Sequence, residues 1–341
     1  MTDTTQVDGV RGTSNSLGET EVDSVSGATA HPREHSDVDR QGLEARRKRR
    51  LCINWTLQGL AMVGLVTLLW PAGANWFASL HHDADVSGYT TSVSALTQSE
   101  RLATLGLANN YNQHLPTGVL RDPYTSMGEL EGSDAFQAYT GLLQVQGTDA
   151  IGTLTYPALG IGLPIFHGTS DEVLTKGVGH LFGSSLPVGG PGTHAALTSH
   201  SGQSGAKLFD NLLQAKVGQT FTVSALGQTS YYEVDQITTV TPDRVEQLEI
   251  VPGEDHVTLI TCTPIGVNSH RLLVRGTRVA APVSTGGSQA VAGDDKTAGF
   301  PWWAVGFIGG SATVAYLLFA PKRASKNPDP TARASVGGDG R

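Results

Sequence analysis

With only two cysteines in 341 residues, Cys52 and Cys262, the chain has no disulfide framework. Cys52 sits inside an apolar run, and Cys262 lies in a long segment well beyond it, so the two are not a plausible pair. One cysteine in that segment is also too few for a thiolate zinc site, and no His-x-His or His-Glu-x-x-His pattern occurs. The expectation is therefore no metal and no cofactor. Residues 1–50 have almost no large apolar side chains, so they cannot bury a core and read as a disordered tail. The formal net charge of −8 is concentrated between two apolar runs, which argues against nucleic acid as a partner. No internal repeat is visible.

The two apolar runs are Leu51–Phe77 and Phe300–Ala320, each long enough to cross a bilayer as a helix. Arg46, Arg47, Lys48, Arg49 and Arg50 precede the first, and Lys322, Arg323 and Lys326 follow the second. The positive-inside rule then places both termini in the cytoplasm, with 321–341 as a second tail and the segment between the spans outside the cell. Trp70, Trp76, Trp302 and Trp303 fit interfacial positions. Ala72-Gly73-Ala74 resembles a signal-peptidase site, but the leader before it is long for a signal peptide, so an uncleaved anchor is favoured.

Between the spans, Val93, Leu96, Leu102, Leu105 and Ala108 recur at helical spacing, so 83–140 reads as a helical subdomain closed at first by a turn at Pro116-Thr117-Gly118. From 141 to 283 the pattern becomes short strands rich in Val, Ile, Thr and Tyr, separated by glycine and proline. Strands are expected at 151–156, 163–166, 195–199, 220–225, 230–239, 256–262 and 271–280. Thr169 with Glu172 suggests a capped helix, and Ser204 a second one carrying Leu208, Phe209, Leu212 and Leu213. Many short strands with few helices imply a mainly β sandwich or barrel. A Gly/Ser/Ala/Asp linker, 284–299, leads to the second span.

The lone thiol is either a small buried hydrophobe or a nucleophile. Cys262 ends an apolar strand that Thr263-Pro264 terminates, and a strand end is more accessible than a strand middle. A thiol needs an acid–base partner and an oxyanion stabiliser. Of nine histidines between the spans, His200 is best placed, because it follows the strand through Thr198 and opens the polar loop Ser201–Ser204. His270 and Arg271 are neighbours on a strand and point to opposite faces, so only one can share a site with the thiol. The fixed charge and forked donors of Arg271 suit an oxyanion or a peptide carbonyl.

These residues resemble a known family. Thr258-Leu259-Ile260-Thr261-Cys262-Thr263-Pro264, followed by Asn268 through Gly276, is similar to the signature of Gram-positive sortases of the pilus-assembling class C. Gly192-Thr193-His194 through His200 resembles the histidine segment of that class, and Gly177–Leu181 with Leu186–Gly190 its approach to the histidine. Ser199 and Ser201 depart from the glycine and the large polar group often found there. The resemblance implies a closed eight-stranded β-barrel with catalytic Cys262, His200 and Arg271, and with Thr198 and Thr261 as substrate-binding residues. It also implies an Asp-Pro-aromatic lid, here Asp122-Pro123-Tyr124, with Tyr124 covering Cys262 and Asp122 approaching Arg271. The implied activity is transpeptidation at an LPxTG-like sorting signal of a pilin, with a lysine amine of the next pilin as acceptor. A housekeeping sortase that anchors proteins to the cell wall, and a non-enzymatic membrane-anchored β-module, remain as alternatives.

Overall fold

A computed structural model describes residues 33–115, 120–125, 131–282 and 299–321. The Pro116–Gly118 turn, most of the linker, the basic residues after 321 and the first 32 residues lie outside the described residues. Two units are distinguished, Met1–Leu57 and Gln58–Arg341. In the first, helix α1 (Arg33–Ala95) has already begun before the basic cluster, and its side chains from Arg40 to Arg50 are exposed. The tail read as disordered to residue 50 is thus helical from Arg33.

In the second unit α1 carries the apolar stretch, and α5 (Trp302–Phe319) packs beside it. Both are long and apolar enough to cross a membrane. Small residues let them approach: Leu65 Cδ2 lies 3.0 Å from where a Cβ on Gly310 would stand. Polar groups join them as well. Ser311 Oγ donates to Met62 Sδ at 3.0 Å, and Trp76 Nε1 donates to the Gly299 carbonyl at 2.6 Å.

The helical stretch expected beyond the first span is two helices. Thr97 ends the first by capping α2 (Gln98–Gln113), accepting from the Glu100 amide while Glu100 receives the Thr97 amide. Tyr89 fixes α1 to the barrel, donating to the Ile151 carbonyl at 3.0 Å and accepting from the Leu226 amide at 2.8 Å. A short helix α3 (Asp134–Thr140) buries Tyr139 beneath it.

The strands are β1 (Gly152–Tyr156), β2 (Ile161–His167), β3 (Val178–His180), β4 (Thr193–Thr198), β5 (Thr220–Ala225), β6 (Gln228–Val240), β7 (Asp255–Thr263) and β8 (His270–Val279). They close in the order β1-β2-β3-β4-β7-β8-β6-β5. Seven were expected; β3 is too short to carry a pattern of its own and forms by pairing with β2 in parallel and β4 antiparallel. Helix α4 (Asp171–Lys176) is capped by Ser170, one residue past the expected Thr169. The helix expected from Ser204 does not form. Gly202 and Gly205 adopt φ of 75° and 102° there, and only a 3₁₀ turn at Asp210–Gln214 follows.

Leu154, Leu197, Phe221, Val234, Leu259 and Val274 fill the barrel interior. Alternation sends the intervening residues outward, where Leu181, Ala196, Ile260 and Leu273 make a second, smaller apolar cluster on the outer face. The Gly189–Gly190 turn is pinned by Asp255, which accepts from the Gly190 amide at 2.7 Å. At Gly189, φ is 72° and a Cβ would lie 2.9 Å from the Asp255 carboxylate.

Candidate active site

Register alone brings the three sequence-chosen residues to one end of the β4–β7–β8 segment. β4 and β7 run parallel with Thr198 opposite Ile260, so two residues further along each strand reach His200 and Cys262 at the same level. On the other side of β7, Cys262 pairs directly with Arg271 of β8. Residues 196, 198 and 200 share a face with 260 and 262, and 271 shares it with 273, so all three side chains belong to the outer face beside the small apolar cluster. His270 points away and is exposed, as alternation requires.

The serines where the sequence departs from the family pattern knit this corner. Ser199 Oγ donates to the Gly177 carbonyl at 2.6 Å, and Ser201 Oγ to the Cys262 carbonyl at 2.7 Å. Ser201 therefore prolongs the β4–β7 ladder by one bond beyond its last backbone pair. Thr198 and Thr261 are fully buried, and their hydroxyls donate to the Ile260 and Ser199 carbonyls at 3.1 and 2.9 Å. Both are committed to bracing these strands.

Asp122-Pro123-Tyr124 lies across the site. The Asp122 carbonyl accepts from the Thr125 amide at 3.1 Å and from its hydroxyl at 2.7 Å, which makes the segment a turn. Asp122 grips Arg271 in a two-pronged pair: Nε donates to Oδ1 at 2.7 Å and Nη2 to Oδ2 at 2.8 Å, with the two side chains 6% and 10% exposed. The remaining guanidinium nitrogen donates to the Asn268 and His270 carbonyls at 2.9 and 3.1 Å. The Tyr124 hydroxyl donates to the Ser199 carbonyl at 2.6 Å, in contact with the hydroxyls of Thr198 and Thr261. The Tyr124 ring has the Arg271 guanidinium 4.8 Å from its centroid and the His200 ring 5.7 Å away. Leu120 and Tyr124 cover the outer apolar cluster.

Under this cover the Cys262 thiol is pushed above its ordinary pKa. Burial is the main cause and the Asp122 charge adds to it, while Arg271 and the hydrogen bond with Tyr124 pull the other way. A thiol so placed rests protonated at neutral pH. Two other barrel histidines, His180 and His194, are buried among hydrogen-bond partners. Burial lowers His180 and His194 to about 4, leaving each a neutral hydrogen-bonding group. His180 meets the Tyr139 hydroxyl at 2.8 Å, and His194 meets the Thr258 hydroxyl at 2.7 Å. Among the described residues no group of histidine, cysteine and carboxylate side chains is arranged to hold a metal ion.

Sequence reasoning missed Asp171, whose Oδ1 lies 3.1 Å from His200 Nε2. It stands 29 residues before its partner, and no spacing rule connects a helix start to a strand end across that distance.

A family model described as a sortase domain matches residues 154–279. The crystal structure of sortase C-1 from Actinomyces oris is 48% identical, with 53% of this chain and 99% of that one covered and a TM-score of 0.50. The chain belongs to the sortase family. A second similar structure, the pilus-related sortase C of Group B Streptococcus, is 41% identical over 57% of this chain and 96% of that one, with a TM-score of 0.50. Among curated proteins, a sortase A from Streptococcus agalactiae serotype III (strain NEM316) is 33% identical over 116 residues, or 33% of this chain and 47% of that protein. The chain thus spans about half the length of that curated relative. The part held in common with the sortase domain model runs from β1 to the end of β8, and so includes His200, Cys262 and Arg271 but not Asp122-Pro123-Tyr124.

Proposed function

We propose that this sortase is a membrane-anchored cysteine transpeptidase of the pilus-assembling class. It cleaves an LPxTG-like sorting signal between threonine and glycine and passes the acyl group to a lysine amine on another pilin. The observation that carries this reading is the β4–β7–β8 register, which sets an imidazole, a thiol and a guanidinium along one edge beside an apolar strip. The lid over that strip fits a site that opens only for an incoming segment.

In the reaction, the Cys262 thiol gives up its proton to His200 and the sulfur attacks the threonine carbonyl carbon. The carbonyl oxygen takes the negative charge, which Arg271 meets once it is released from Asp122. When the C–N bond breaks, the proton held by His200 goes to the glycine amine, leaving a thioester on Cys262. The lysine Nζ then attacks the thioester carbon, His200 accepts its proton, and the sulfur departs as the new amide forms. One amide replaces another, so no cofactor or energy source enters. The outer apolar strip of Leu181, Ala196, Ile260 and Leu273 would receive the leucine and proline of the signal. Two candidate spans with basic flanks support, by the positive-inside rule, a catalytic domain outside the cell with both termini in the cytoplasm.

The test is to incubate the full chain in detergent with a purified pilin that carries a sorting signal and its acceptor lysine. Ladders that survive sodium dodecyl sulfate are expected, and none with Cys262→Ala of unchanged melting temperature. Transfer only to cell-wall peptide amines would instead favour a housekeeping sortase. Loss of folding in the variant, with no activity in the parent, would favour a structural β-module.

A further inference from the structure

The imidazole of His200 has a partner outside the three-residue scheme. Asp171 is the first residue of α4, and its Oδ1 lies 3.1 Å from His200 Nε2, with the carboxylate side chain 92% exposed and the imidazole 24%. The contact is set by backbones tied at both ends. Ser170 caps α4 by accepting from the Val173 amide, and Leu174 anchors the helix in the barrel at 1% exposed. The helix ends at Gly177, whose carbonyl accepts from Ser199 Oγ at 2.6 Å. Ser199 is the residue before His200, so the two partners hang from segments joined by that bond. On its far side the His200 carbonyl accepts from the Phe209 amide at 2.9 Å. The next acid along, Glu172, is paired with Lys176 at 2.6 Å instead. Only one of the two adjacent acids is directed to the imidazole.

We propose that Asp171 is a positioning residue for His200: it accepts the Nε2 proton, fixes the rotamer and tautomer of the ring, and leaves Nδ1 as the nitrogen that exchanges protons with the thiol and the amines. A histidine's working nitrogen is set by the hydrogen bond its other nitrogen makes. An exposed carboxylate adds little binding energy, so its effect is on orientation more than on stability. The inference rests on the transpeptidase reading for its kinetic consequence only; the orientation of the ring is independent of it.

The experiment compares the full chain with Asp171→Ala and Asp171→Glu, by hydrolysis of a sorting-signal peptide and by ¹⁵N-imidazole spectra of His200. Alanine is expected to lower kcat roughly fivefold, the rate equivalent of one exposed ion pair, with KM unchanged. It should also shift the His200 ring resonances towards a mixture of tautomers, and glutamate should restore part of both effects. Unchanged kcat in the alanine variant would overturn the proposal, as would a fall in kcat with unmoved resonances or a rise in KM alone. If the parent chain cleaves no peptide, the functional reading fails. The resonances then decide the role of Asp171 by themselves, unmoved signals overturning it and shifted signals supporting it.

Discussion

Replacing Asp122 and Tyr124 together by alanine is expected to speed alkylation of Cys262 at neutral pH by about tenfold for each pKa unit that the thiol recovers. The sign follows from what holds the thiol protonated. Burial is the largest cause and the Asp122 charge acts in the same direction, while Arg271 opposes both. Removing these two side chains lessens the burial, takes away the Asp122 charge and frees Arg271 from its carboxylate partner, so the thiolate forms at lower pH. The rise of the alkylation rate with pH should therefore move to lower pH in the double variant. Hydrolysis of a sorting-signal peptide should rise in parallel, because the outer apolar strip and the guanidinium become accessible together. The check is a pH series of iodoacetamide labelling on the full chain, read by mass. Identical profiles for parent and variant would remove the lid from the account and leave Asp122-Pro123-Tyr124 as an ordinary turn.

Arg271→Ala is expected to cost about 3 kcal/mol of stability, more than the double variant Asp122→Ala/Arg271→Ala. The two side chains are 10% and 6% exposed and share two hydrogen bonds of 2.7 and 2.8 Å. Taking the guanidinium alone strands a carboxylate in a place shielded from water, whereas taking both leaves no unpaired charge. The same single change also loses the Asn268 and His270 carbonyl contacts, a loss common to both variants that cancels in the comparison. Thermal unfolding of parent, two single variants and double variant completes the cycle. A double variant less stable than Arg271→Ala would show that the pair is not coupled as the geometry requires. All Arg271 variants should also lose peptide cleavage, since in the proposed reaction the oxyanion loses its fixed positive partner.

The proposed catalytic residues were legible as candidates because they sit at the ends of well-patterned strands. Val257 and Leu259 join the barrel interior while Ile260 joins the outer cluster, and Thr263-Pro264 marks where β7 stops, so Cys262 stood out. His200 stood out in the same way after β4. The convergence of the two was not legible from pattern alone, because it depends on the parallel pairing of strands separated by β5 and β6 in sequence. That step came from the family resemblance. β3 escaped because a three-residue strand exists only through its neighbours. The helix expected near Ser204 failed because two glycines at positive φ outweighed a good apolar spacing. Asp171 was invisible for a different reason: a helix start and a strand end were joined by a side-chain contact that no local rule anticipates.

The most direct measurement is the mass of the acyl-enzyme. The full chain mixed with a sorting-signal peptide, quenched in acid and digested, should yield a Cys262 fragment heavier by the peptide's portion up to its threonine. That adduct should vanish on hydroxylamine treatment and be absent from Cys262→Ala. Cleavage of the peptide by the parent with no acyl group on Cys262, or with the group on another residue, would contradict the account.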